Sequence, residues 1–183
     1  RANSAPSGWS HNIIKKNLYS IIINLADDVM VNSNDFRREF NKKFKIKSKC
    51  IYNPFYKAKL NVNSNKHLFQ KKSLKILSIG RLTKQKDHMT LLKAAKLINP
   101  AIKPELIIIG KGKEYINLKN FIISNHLQKI VKLIGYKANG YNFIKKCDIF
   151  VLTSKYEGLP NVLLEAQFFK KYIISSNCPT GPK

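Results

Sequence analysis

LKILSIGRLTKQKDHMTLLKAAKLINPAIKPELIIIG, residues 74–110, is the stretch that decides the fold. An Ile/Leu run at 74–79 stops at Gly80. Residues 87–98 follow, with Met89, Leu91, Leu92, Ala95 and Ile98 at helical spacing, and a second apolar run at 105–109 stops at Gly110. Near-continuous apolar runs are how strands buried on both faces read. Strand, helix, strand is the repeating unit of a parallel sheet. The same rhythm continues with a helix at 114–125, a strand at 130–134 ending in Gly135, a short helix at 141–147, a strand at 148–153, a helix at 160–169 and a strand at 172–176. The predicted fold class is therefore α/β, a doubly wound parallel sheet with helices on both faces.

Toward the N-terminus the pattern is weaker. Residues 12–26 carry Ile13, Ile14, Leu18, Ile21, Ile22 and Leu25 at helical spacing. A short strand is expected at 28–32. Ser33, Asn34 and Asp35 are all good N-caps for a polar helix running to about Phe44. A second short strand at 49–53 ends at Asn53-Pro54, and residues 55–73, rich in Lys and Asn without a period, read as an irregular connection. The chain opens at Arg1 without a Met and stops at Pro182-Lys183, so it is expected to be a piece of a longer protein, its sheet incomplete at both ends.

Among 183 residues, 34 are Lys or Arg and 10 are Asp or Glu, a formal charge of +24, yet 44% are hydrophobic. That apolar share supports a real core and excludes a disordered tail. No apolar run approaches the ~20 residues that cross a bilayer. Cys50, Cys147 and Cys178 are too far apart for a disulfide framework or a CxxC metal ribbon, and they fit a reducing compartment. The charge has three readings: AT-rich codon usage on solvated surface, attraction to an anionic membrane or acceptor, or a nucleic-acid surface. Only Arg1, Arg37, Arg38 and Arg81 are arginines, and no aromatic–arginine pattern repeats. Both facts argue against the last reading.

In sheets of this class ligands bind beyond the carboxyl ends of the strands. The loop after the first strand of the rhythm, 80–87, is neither a Walker A nor a GxGxxG loop. It offers Gly80, where a backbone can approach a ligand, with Arg81 and Lys86, two cations that suit a diphosphate. Gly110 and Gly135 are expected only to turn the chain out of its strands. The loop after the fourth strand reads Glu157-Gly158-Leu159-Pro160-Asn161-Val162-Leu163-Leu164-Glu165. Pro160 suits a helix start. The amides of the following turn, Asn161 and Val162 among them, would face an anion with the helix dipole behind them. Glu165 lies in an otherwise apolar stretch, where an unpaired carboxylate is costly, so a ligand's hydroxyl pair or a cation is expected to satisfy it. Glu157 and Glu165 could flank one ligand. His11, His67, His88 and His126 receive no role, His88 being read as a helix-start residue.

Glu157-Gly158-Leu159-Pro160 with Glu165 resembles the EX7E motif of retaining GT-B glycosyltransferases of family 4. Gly80-Arg81 with Lys86 is similar to that family's donor-phosphate loop. Ala26-Asp27-Asp28-Val29 to Asn32-Ser33, Tyr52-Asn53-Pro54 and the 177–183 turn resemble further family segments, in the family's order. The resemblance implies a GT-B arrangement: 1–54 as the end of an acceptor domain, 55–72 as the connection, and 73–183 as a truncated, Rossmann-like donor domain. Arg81 and Lys86 would hold the donor's phosphates with the amides of Asn161 and Val162. Glu165 would bind the ribose hydroxyls and Glu157, the candidate catalytic residue, the hydroxyls of the transferred sugar. The backbone at Tyr136 would line the base pocket. It further implies a nucleotide-diphosphate sugar as donor substrate, a glycan or polyprenyl-linked acceptor and retention of configuration. No metal and no other cofactor is implied, which agrees with the lack of an Asp-x-Asp pair among the ten acids. A cytoplasmic place, peripheral on the inner membrane face, and no nucleic-acid partner complete the expectation. A nucleotide- or sugar-binding module without transfer activity, a sugar-phosphate synthase of the same fold and a basic nucleic-acid binder stay open as alternatives.

Overall fold

A computed structural model describes residues 13–53, 69, 72–178 and 181–182. Two compact units divide the chain. One comprises 1–55, 156–160 and 177–183; the other comprises 56–155 and 161–176.

In the first unit, α1 (Ile13–Asn24) precedes β1 (Met30–Val31), α2 (Asn34–Phe44) and β2 (Lys49–Cys50). Ser33 is the residue that caps α2: its backbone is extended and its Oγ accepts the amide of Phe36 at 3.2 Å. Lys45 ends the helix in the left-handed region. β1 and β2 pair in parallel, Met30 with Lys49 and Val31 with Cys50. The pairing is shorter than the expected 28–32 and 49–53, because the ladder closes after Lys49 N bonds Val29 O and Ile51 N bonds Val31 O. Val31, Phe40 and Phe44 form the small core, with Ile23, Val29, Phe36 and Ile46 against it. Ile14, Leu18, Ile21, Ile22 and Leu25, spaced as expected for a helix, are exposed.

The second unit holds β3 (Leu74–Ile79), α3 (His88–Ala95), β4 (Pro104–Ile109), α4 (Tyr115–Ser124), β5 (Val131–Leu133), α5 (Tyr141–Lys146), β6 (Ile149–Leu152), α6 (Asn161–Phe168) and β7 (Tyr172–Ser175). The strands form one parallel sheet in the order β5-β4-β3-β6-β7. Side chains alternate across it, as the strand repeat requires. Ile76, Leu106, Ile108, Val131 and Val151 pack with Leu91, Leu92 and Ala95 of α3 and Leu118 and Ile122 of α4. Leu77, Ile107, Ile109, Phe150 and Leu152 pack with Phe143 and Ile144 of α5 and Leu163 and Ala166 of α6. The sheet is thus covered on both faces, as its apolar strands require. Helix ends differ from the sequence reading mostly by a residue or two. The larger difference is at α3, where the chain leaves the helix after Ala95 and makes a 3-10 turn at Pro100–Ile102 before β4. Phe69, inside the expected connection, is buried in the second cluster; 54–68, 70 and 71 lie outside the described residues.

Candidate functional site

β3 and β6 are neighbours at the point where the strand order reverses, with β4 and β5 on one side and β7 on the other. Parallel sheets open a ligand crevice at this switch point, outside the strands' carboxyl ends. Two loops of the second unit meet there. Thr153 Oγ1, just past β6, donates toward the carbonyls of Lys86 (3.2 Å) and Asp87 (3.0 Å). Lys155 N donates to Gln85 O at 2.8 Å, and Lys155 Nζ lies 4.0 Å from Asp87 Oδ2. Asp87 sits in the left-handed region (φ 45°), with its carboxylate taking the Thr90 hydroxyl at 2.9 Å. Leu82, 1% exposed, anchors the loop from beneath. Its amide donates to Lys111 O and its carbonyl accepts from Glu114 N. The 80–87 segment is therefore a braced cradle rather than a solvated excursion.

On that cradle Arg81 is exposed and its guanidinium donates to Gln85 Oε1 at 3.2 Å. Lys86 runs its side chain back over Gly80, with Cγ and Cδ 3.5 Å from where a Cβ on Gly80 would lie. His88 begins α3, as expected, but it is 4% exposed and lies under the loop. Its Nδ1 is 3.4 Å from Ser78 Oγ, and burial pushes its pKa down to about 4. Gly110 does more than turn the chain: a Cβ there would lie 1.9 Å from Gly80 O. A Cβ on Gly112 would lie 2.3 Å from Leu82 O. These two glycines let the end of β4 press against the loop after β3.

α6 begins at Asn161, so Pro160 stands just before the first helical residue. Leu163 and Ala166 fix the helix to the sheet. No acidic side chain occupies its first turn, which leaves the positive end of its dipole without a carboxylate from that turn. Glu165 follows that turn, half-buried, and burial raises its pKa. The Tyr141 hydroxyl, 3.4 Å from Glu165 Oε1, opposes that rise, while Tyr141's own pKa is raised by burial and by the carboxylate. Beyond β5, Tyr136 is 66% exposed with Lys111 Nζ 5.7 Å from its ring centroid.

Glu157, Gly158, Leu159 and Pro160 fall in the first unit. Glu157 is 6% exposed, and a Cβ on Gly181 would lie 2.7 Å from its Cβ. A Cβ on Gly158 would lie 3.3 Å from Asn32 Oδ1. The sequence-predicted residues are thus divided. Gly80, Arg81, Lys86, Tyr136, Asn161, Val162 and Glu165 belong to the second unit, the other four to the first. Sequence reasoning missed Thr153, Tyr141 and the close approach at Gly110, and it left His88 without a role. A hydroxyl at a strand end was the one available signal for Thr153; nothing local marked Tyr141. Among the described residues no group of three or more His, Cys, Asp or Glu is gathered as metal ligands require, and no helix is long and apolar enough to cross a membrane.

Residues 61–183 match the family model for glycosyl transferases group 1. An uncharacterized glycosyltransferase of Methanocaldococcus jannaschii is 33% identical over 92% of this chain and 46% of its own length. The N-acetylgalactosamine-N,N'-diacetylbacillosaminyl-diphospho-undecaprenol 4-alpha-N-acetylgalactosaminyltransferase of Campylobacter jejuni is 30% identical over 94% of this chain and 47% of its own length. The chain therefore spans about half the length of these relatives. A crystal structure of Staphylococcus aureus TarM, in a complex that includes UDP, superposes with a TM-score of 0.76 at 22% identity, over 92% of this chain and 34% of TarM. That likeness shows the fold, the parallel sheet of a GT-B glycosyltransferase domain. With two thirds of its length matched by the family model, the chain belongs to the glycosyl transferases group 1 family.

Proposed function

We propose that this chain supplies the nucleotide-sugar site of a glycosyltransferase that transfers a sugar to a glycan or polyprenyl-linked acceptor, with retention at the anomeric carbon. The observation that carries the reading is the braced 80–87 cradle at the switch point, presenting Arg81 and Lys86 where a parallel sheet receives its ligand. Leaving-group departure puts negative charge on a diphosphate. Two cations and the amides of the first turn of α6, at Asn161 and Val162, would stabilise that charge without reorganising. Glu165 would accept from the ribose hydroxyls. Glu157 would hold hydroxyls of the transferred sugar, Gly158, Leu159 and Pro160 would shape the turn, Gly80 would admit the ligand, and the backbone at Tyr136 would border the base.

In this reading residues 1–54 close an acceptor domain, 55–72 connect, and 73–183 bind donor, with no metal in the chemistry. The lipid-linked acceptor named for the C. jejuni relative supports an acceptor of that class. The Lys-rich surface suits an anionic membrane face. The test is calorimetric titration of UDP, GDP and ADP into the protein and its Glu165→Ala variant. One nucleotide binding tightly, and about tenfold more weakly to the variant, is the expected result. No nucleotide binding, or equal binding to both proteins, would overturn the site assignment.

A further inference from the structure

Tyr141 reaches the proposed site from an element that contributes no other residue to it. It is the first residue of α5, 24 positions before Glu165 in sequence, and its hydroxyl lies 3.4 Å from Glu165 Oε1. The ring packs against an aromatic neighbour. Phe169 stands 6.3 Å away at 54°, itself edge-on to Phe168 at 5.2 Å. On the backbone side, a Cβ on the preceding Gly140 would lie 3.1 Å from Ile79 Cδ1, so the start of α5 is seated against the carboxyl end of β3. The Gly140–Tyr141 step thus ties the end of β3, through the glycine, to the carboxylate on α6, through the tyrosine hydroxyl. At 3.4 Å the O–H···O contact is long. It steers one carboxylate oxygen without saturating the group, whose two oxygens can accept several hydrogen bonds.

We infer that Tyr141 is a positioning residue for hydroxyl recognition: by holding Oε1 from the α5 side, it orients the Glu165 carboxylate toward a vicinal hydroxyl pair of the donor's ribose. The inference rests on the donor-site reading above. Its electrostatic consequence follows from the opposing influences on Glu165. Burial favours the protonated acid and the tyrosine hydroxyl favours the carboxylate. Removing the hydroxyl leaves burial unopposed, so the carboxylate protonates at higher pH. Affinity for a hydroxyl pair then fails earlier as pH falls. Among the described residues, Tyr141 is the titratable group that acts on Glu165; the others on the packed elements are Lys145 and Lys146 in the last turn of α5 and Tyr172 at the start of β7, and none of them contributes to its shift.

The experiment titrates UDP, GDP and ADP, each beside its 2′,3′-dideoxy counterpart, into the protein and its Tyr141→Phe variant across a pH series, with circular dichroism to confirm folding. The tightest ribonucleotide is expected to bind the variant about fivefold more weakly. Its dideoxy form should bind both proteins alike, and the acid limb of the affinity profile should move to higher pH in the variant. An equal loss for both forms, or an unchanged ratio with an unmoved acid limb, overturns the inference while leaving the donor site standing. Wild-type protein that binds no nucleotide, or that does not distinguish the dideoxy form, overturns the hydroxyl-binding reading and this inference with it.

Discussion

His88 shows how a residue of no evident sequence role is set by its surroundings. An imidazole at a helix start is ordinarily wet, but this one is buried, its Nε2 lies 3.6 Å from where a Cβ on Gly80 would be, and Ser78 faces its Nδ1. Burial disfavours the charged ring, Lys86 adds to that effect, and the pKa falls to about 4 against an ordinary 6.5. The unfolded chain therefore binds a proton that the native ring refuses, between those two values. Stability is full above pH 6.5 and declines as pH falls toward 4, a loss on the order of 3 kcal/mol. The expected outcome in urea unfolding across that range is a slope for the wild type that His88→Gln flattens. Equal slopes would show that the ring is solvated.

At the scale of elements, the cradle depends on how closely two strand ends approach. The carbonyl of Gly80 occupies the space a side chain on Gly110 would need, whereas a Cβ on Gly80 would meet nothing nearer than 3.5 Å. Gly110→Ala must push the β3 loop away from the end of β4 and is expected to cost about 2–3 kcal/mol in chemical unfolding. Gly80→Ala should fold with stability near that of the wild type. If both variants were equally stable, the approach would be looser than 1.9 Å implies. The amino ends of these strands are pinned differently. Glu105, 2% exposed at the start of β4, takes an ion pair from Lys132 of β5 and a hydrogen bond from Ser73. Burial of that carboxylate is tolerable because it is paired.

For the whole molecule the +24 charge sets competing partners against one another. Binding of any polyanion releases counterions, so its affinity should fall steeply, by roughly a thousandfold or more between about 50 and 200 mM salt for an extended contact. A nucleoside diphosphate held by two cations and helix amides presents far fewer charges and should lose much less over the same range. Parallel titrations with UDP and with duplex DNA distinguish the cases. A nucleotide affinity that collapsed as steeply as DNA binding would point to diffuse attraction rather than a built site.

Much of the fold is legible in the sequence. Apolar runs of strand length, Gly at their ends and helical spacing between them are local properties, and they named each strand and helix of the sheet unit to within a few residues. A cap for α2 among Ser33, Asn34 and Asp35, and the cations of 80–87, were equally local. The 3-10 turn at Pro100–Ile102 was not, because the helical spacing ran on to Ile98 while the chain left the helix after Ala95. Tyr141 beside Glu165 and Thr153 beneath Lys86 were hidden because their partners are 24 and 67 residues away. The sequence by itself determined the element order, the α/β class and the loops able to meet a diphosphate, since periodicity, caps and turn residues act over a few positions. Only the tertiary structure decided which strands are neighbours, where the switch point falls, that Gly110 admits the Gly80 carbonyl, and that His88 is buried. Each of these depends on where the strands lie in the folded sheet, which brings together groups no local pattern relates.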